Sequence, residues 1–130
     1  MNTPLLLVLI GLAGGVGSIA RVVLSGWIAE RRGAEFGIWI VNLSGSLAIG
    51  LAFGFWTARG GTASDWQLLM VTMGFLGGFT TVSTFAVQVL ELKKKNAVGQ
   101  AQVLAFGSIL TCPICAFVGV MIGATLGAAA

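Results

Sequence analysis

A chain of 130 residues that is 57% hydrophobic and only 8% charged, with a mean hydropathy of +1.00, cannot cover a soluble surface, so it is read as an integral membrane protein. The net charge of +3, seven basic against four acidic residues, sits in short segments and excludes nucleic acid as a partner. With no histidine and no carboxylate pair inside an apolar run, no nucleophile and base are available, and no enzyme is expected.

A helix needs about 20 apolar residues to cross the hydrocarbon. Polar interruptions at 30–35, 59–65 and 93–100 divide the chain into four such runs, predicted as helices over about 5–28, 37–57, 66–92 and 101–128 of a single transmembrane domain covering 1–130. A membrane β-barrel would read as alternating segments of ~10 residues, and these continuous Leu, Val, Ile, Ala and Gly runs do not alternate. The opening MNTPLLLVLIGLAGGVG lacks the basic start of a signal peptide, and its apolar run continues to about Ile28, so it reads as a true span.

In the first helix, Gly11 and Gly15 form a small-residue face that Gly14 and Gly17 extend, which predicts close contact with a neighbouring backbone. Arg21 lies about two turns before the polar loop. Its guanidinium either snorkels to the interface or stands at the mouth of an aqueous vestibule, where it would concentrate anions. A short basic loop, Glu30 to Arg32, leads to the second helix, whose polar residues are Asn42, Ser44 and Ser46. Asn42, Ser46 and Gly50 share a face, and Gly50 pairs with Gly54 as a second close-packing element. An intramembrane asparagine serves as glue between helices, or it presents two N–H donors to an anion.

The loop 58–65 is a turn, and Asp65 is placed to cap the third helix, with Trp66 at the membrane interface. That helix contains GFLGGFTTVSTF, residues 74–85, with three glycines and four hydroxyl side chains in twelve positions. Gly77 and Gly78 let the backbone leave the helix, and the hydroxyls compete for the freed groups, so a break is predicted near Gly77 to Thr80. Broken membrane helices aim half-helix ends and unwound carbonyls at ions. Lys93 to Lys95 end this helix. The fourth carries Gly119, Gly123 and Gly127 as a ridge, and Pro113 is expected to kink it. Cys112 and Cys115 form a C-x-x-C pattern without further metal ligands and are read as small packing residues.

Taken together, the late arginine of the first span, VNLSGS around Asn42 and the long GFLGGFTTVSTF motif make the whole chain resemble the Fluc/CrcB family of small fluoride channels. The resemblance implies two antiparallel subunits in the cytoplasmic (inner) membrane, two narrow fluoride paths giving passive fluoride export and fluoride resistance, and a structural sodium ion at the dimer axis. Matching positions place Asn42, Val82, Ser83, Thr84, Phe85, Ser108 and Cys112 along the fluoride path, Arg21 at the vestibule, and the backbone carbonyls of Gly77 and Thr80 on sodium. A bare fluoride needs several donors to replace its water, and aromatic ring edges carry partial positive charge.

The family pattern is not intact. Val82 stands where the first of two phenylalanines usually sits, Gln88 where a glutamate commonly follows, Leu104 where a tyrosine is frequent, and Ile38 where a threonine often begins the polar track. Arg31, Arg32 and Lys93 to Lys95 fall on one side of a four-helix topology against Arg59 on the other, which favours one fixed orientation with that end cytoplasmic. Two alternatives therefore stand beside a homodimeric channel. One is a poorly conducting subunit of a heterodimer with a homologous chain of opposite orientation. The other is a small multidrug-type proton-coupled exporter, which would need a membrane-embedded carboxylate, whereas Glu30, Glu35, Asp65 and Glu91 all lie at predicted ends or loops.

Overall fold

The computed structural model describes residues 2–130 and is helical, with no strand among the described residues. Four segments are long and apolar enough to cross a membrane: Thr3–Arg32 (α1), Ala34–Ala58 (α2), Trp66–Lys94 and Val98–Ala129 (α6). The third is composite. It opens as α3 (Trp66–Leu69), continues as a π-helical stretch (Met70–Leu76) and α4 (Gly77–Phe79), and resumes as α5 (Ser83–Lys94). Between α4 and α5, Thr80 is extended at φ −80° and ψ 155°.

These segments run a few residues past most of the expected bounds, as at Val98, and two of the differences have a clear physical cause. Arg31 and Arg32 belong to the last turn of α1 rather than to a loop, and Gly33 alone, at φ 102°, separates α1 from α2. Cations favour a helix C-terminus, and the Arg31 guanidinium lies 3.9 Å from the Trp27 ring, so the helix gains by including them. Asp65 occupies the N-cap position of α3, but its side chain makes no capping bond there. It turns back into the loop instead, accepting from Trp56 Nε1 at 2.7 Å, Thr62 N at 2.9 Å and Thr62 Oγ1 at 2.8 Å.

Glycine sets the packing, since no hydrophobic force draws helices together in lipid and close backbone approach must substitute for it. α2 and α6 run together along their length. A Cβ on Gly50 or Gly54 would meet the Ala116 or Val120 carbonyl, and one on Gly119 or Gly123 would meet the Leu47 or Leu51 carbonyl. The two ridges thus interlock. α1 packs on the third span in the same way, with Gly17 against the Phe75 carbonyl and Gly78 against the Gly14 carbonyl. The expected face of Gly11 and Gly15 has no neighbour within 4 Å in this subunit, because Gly14 and Gly17 take up the contact one helix face away.

Pro113 sits inside the continuous α6, where its missing N–H leaves the Ile109 carbonyl without its helical donor. Gly77 is itself right-handed helical at φ −64° and ψ −37°, so the backbone leaves the helix at the Thr80 end of the expected stretch. What Gly78 supplies is close approach to α1 rather than a turn.

Two outcomes follow from this packing. Gly123→Ala forces a Cβ into the Leu51 backbone and should lower stability by about 1–3 kcal/mol. Gly99→Ala, with open space around it, should be neutral or raise stability by up to about 1 kcal/mol, as read by thermal unfolding in detergent. The Asp65 carboxyl is held below its ordinary value chiefly by the Thr62 backbone N–H, then by the Trp56 and Thr62 side chains. Its contribution to the loop is therefore complete above the unfolded carboxylate value of about 4 and is lost as pH falls through the lower folded value. Trp56 emission should hold steady down to about pH 4 and change below it. An identical acid transition in Asp65→Asn would contradict this.

Candidate functional site

A cleft of about 520 Å³ opens where α2, the α4–α5 junction and α6 meet. α2 contributes Asn42, Ser46 and Ile49, spaced about one turn apart so that they share a face. α6 contributes Ser108, Ile109 and Cys112. The third span lines the remaining side with Gly77, Thr80 to Val82 and Phe85.

Asn42 holds the junction together. Its Nδ2 donates to the Thr81 carbonyl at 2.8 Å, and its Oδ1 accepts the Thr81 N–H at 2.8 Å. The backbone fixes this orientation of the amide, because Thr81 offers one donor and one acceptor and the reverse orientation would face like against like. The clamp has a consequence for two carbonyls. In an unbroken helix the Thr81 N–H would bond the Gly77 carbonyl, but here it goes to Asn42. Likewise the Thr84 N–H, the usual partner of the Thr80 carbonyl, goes to Thr81 Oγ1 at 3.3 Å. Gly77 and Thr80 thus have their helical donors diverted, and both line the cleft.

Thr81, one of the hydroxyls expected to compete for the freed backbone groups, is the hub of a second network. Its hydroxyl donates to Thr84 Oγ1 at 3.2 Å and lies 3.2 Å from Ser83 Oγ. Thr84 Oγ1 also accepts from Arg21 Nη1 at 3.4 Å. With both lone pairs engaged, the Thr84 O–H is left to donate. Ser83 and Thr84 do not line the cleft with the other expected residues; they sit in this chain leading to Arg21.

Three buried side-chain atoms have no partner among the described residues: Ser108 Oγ, Arg21 Nε and Gln88 Oε1. Ser108 is 8% exposed, so an unsatisfied hydroxyl there carries a desolvation penalty of about 1–3 kcal/mol unless the cleft supplies a ligand. Gln88 Nε2 ties α5 to the start of α2 through the Ala34 carbonyl at 2.9 Å. Ile38 and Leu104 are buried, and Leu104 faces a separate cavity of about 500 Å³ beside Phe36 and Trp39 rather than the cleft.

A family model described as CrcB-like protein, Camphor Resistance (CrcB), matches residues 8–129. The chain belongs to this family. Among its CrcB-like relatives, a protein of Citrifermentans bemidjiense called Fluoride-specific ion channel FluC is 35% identical over 122 residues, covering 92% of this chain and 98% of its own. One from Nitrobacter hamburgensis, Fluoride-specific ion channel FluC 2, is 35% identical over 116 residues, 88% of this chain and 91% of its own. A third, Fluoride-specific ion channel FluC of Solibacter usitatus, is 43% identical over 100 residues, 74% and 81% of the two chains.

In this CrcB-like chain the clamp predicts an asymmetry between two substitutions. Asn42→Ala strands a buried donor and acceptor on Thr81 and should lower stability by about 2–4 kcal/mol in detergent unfolding. Asn42→Asp keeps the acceptor for the Thr81 N–H but sets a carboxylate against the Thr81 carbonyl. It should be at least as damaging near neutral pH and should recover part of the loss on acidification. Equal stability of the three proteins would remove the clamp from the account.

Proposed function

We propose that this chain conducts fluoride passively out of the cell through the cleft, as one half of an antiparallel dimer in the cytoplasmic membrane. The observation that carries the reading is the unpartnered, buried Ser108 hydroxyl on a cleft whose other polar wall is the Asn42 amide, in a chain whose relatives are named fluoride-specific channels. The lining residues carry no carboxylate, which suits an anion and denies a proton-coupled exporter its carrier.

The donors can be counted. On the cleft, Asn42 retains one amide N–H beyond the one given to Thr81 and Ser108 retains its O–H; outside it, Thr84 retains the O–H at the end of its network. Arg21 adds a positive charge next to that last donor and would draw anions toward the mouth of the path. The Phe85 ring on the cleft wall offers its electropositive edge, and the Cys112 thiol a weaker donor. An inside-negative potential of ~100 mV favours exit of each fluoride by about 2.3 kcal/mol, so no coupled energy source is required.

In this reading the departure from the helix at Thr80 is the functional break of the third span. The carbonyls of Gly77 and Thr80, released by the diversion of Thr81 N–H and Thr84 N–H, are the oxygen donors a hard cation prefers, and they would hold sodium at the dimer axis. Bound there, sodium would staple the subunits and set positive charge beside an anion path.

A second reading has its own support. Five basic residues gather at one end of the bundle against Arg59 at the other, a bias that fixes orientation and disfavours insertion both ways. Val82 is 80% exposed and presents no ring. A heterodimer with a homologous subunit of opposite orientation, which supplies the missing phenylalanine, accommodates both facts.

Proteoliposomes containing this chain alone should release fluoride and retain chloride. Phe85→Ile and Ser108→Ala should each cut the fluoride rate roughly tenfold or more, equivalent to about 1.4 kcal/mol of barrier, and Val82→Phe should raise it. Retained flux in both Phe85→Ile and Ser108→Ala would move the path elsewhere. No flux from this chain alone, with flux restored by an oppositely oriented homologue, would select the heterodimer.

A further inference from the structure

The two cysteines, the only ones in the chain, lie three residues apart on α6 and are both free and half-buried. Residues at that spacing share a helix side with Cβ atoms about 5–6 Å apart, a span that two sulfurs can close around one ion. Cys112 lines the cleft, one turn from the unpartnered Ser108 hydroxyl and on the same face. No group of three or more His, Cys, Asp or Glu side chains that could hold a metal exists among the described residues, so a cation demanding four such ligands is not served. Two thiolates alone select a soft cation that is content with two-coordinate geometry.

We infer that Cys112, on the cleft wall, and Cys115, about one turn further along α6, form a two-thiolate site for a soft divalent cation of the mercuric type, and that its occupancy closes the path. The closure rests on the proposed fluoride path; the capture of the ion does not. Binding breaks two S–H bonds and forms two S–Hg bonds, and the two protons leave through the cleft to water, with no change of oxidation state. The charge sum favours a divalent ion. Two thiolates neutralise it completely, whereas a monovalent ion would leave a net negative charge at membrane depth, where charge is expensive. The seated ion adds bulk beside Ser108 and removes the Cys112 S–H donor from the wall.

The test uses the full chain, with mercuric chloride as the probe and two separate readouts. In detergent, one mercuric ion per chain should remove both thiols from labelling by a maleimide dye, and dithiothreitol should restore them. Cys115→Ser should weaken the capture roughly tenfold or more, at least the loss seen when an outer-shell partner of a metal is removed. In liposomes, the same stoichiometry should block fluoride efflux in the wild type. Block measured against each variant's own metal-free rate should disappear in Cys112→Ser. Two ions per chain with one thiol consumed by each, or unchanged block in Cys112→Ser, would overturn the site. Absence of metal-free flux would count against the fluoride reading, and the thiol stoichiometry would still decide the metal site.

Discussion

Inside a membrane an irregular backbone survives only under protein or beside water, and the bidentate hold of Asn42 on Thr81 gives that residue both its partners where the third span leaves the helix. One side chain from α2 replaces two helical hydrogen bonds. The rest of the site follows from that exchange. Because Thr81 turns to Asn42, the Gly77 carbonyl is released; because the Thr81 hydroxyl accepts the Thr84 N–H, the Thr80 carbonyl is released as well. The same clamp fixes one edge of the Asn42 amide and leaves a single N–H for any ligand. Of glue and ligand site, alternatives when only the residue type is known, the clamp is the first, and in the proposed channel the free N–H would serve the second.

Glycine ridges bring the clamp to its target. The interlock of Gly50 and Gly54 with Gly119 and Gly123 sets the separation of α2 and α6, and with it the distance across which Asn42 and Ser46 face Ser108 and Cys112. On the other side, Gly17 and Gly78 draw α1 against the third span, which carries Arg21 to within reach of Thr84. Each polar contact thus depends on a backbone approach that a single methyl group would prevent. An apolar bundle gains little from burial in lipid, so the sequence spends glycine rather than leucine at these crossings.

Spans and ridges were legible in the sequence because both are periodic: about 20 apolar residues per crossing, and glycines four apart on one face. Readings that depended on a partner elsewhere in the chain were less secure. Asp65 sits in a capping position, yet Trp56 and Thr62 compete for its carboxylate and win. Arg31 and Arg32 looked like a loop by charge, but the Trp27 ring and the end of the α1 dipole keep them helical. The glycines and hydroxyls marked Gly77 to Thr80 as the stretch where the backbone can turn, and which residue turns is decided by Asn42, which receives Thr81 directly after the extended Thr80. Thr81 reads as one of four hydroxyls that compete for freed backbone groups, and nothing in the run sets it apart from the others; what sets it apart is Asn42, 39 residues earlier. Gly11 and Gly15 read as a contact face by the same spacing rule that found Gly14 and Gly17, and spacing alone cannot say which face a neighbour takes.

The extended segment also bears on assembly. Irregular backbone at membrane depth survives only under protein or beside water, and Val82, at the end of that segment and already right-handed helical, has its carbonyl bonded by the Ala86 N–H while its side chain is 80% exposed. The clamp satisfies Thr81 but provides no cover for Val82. In the proposed dimer a second subunit would provide that cover, and the released carbonyls of Gly77 and Thr80 would face it across the same junction. Charge then limits which subunit that is. With five basic residues at one end and one at the other, two copies in opposite orientations would place one copy against its own topological preference, whereas an oppositely biased homologue would satisfy both. A homodimer therefore requires that the energy of covering the junction exceed the orientation bias of the second copy. The surface around the exposed Val82 would do so only if it packs as closely as α2 and α6 do.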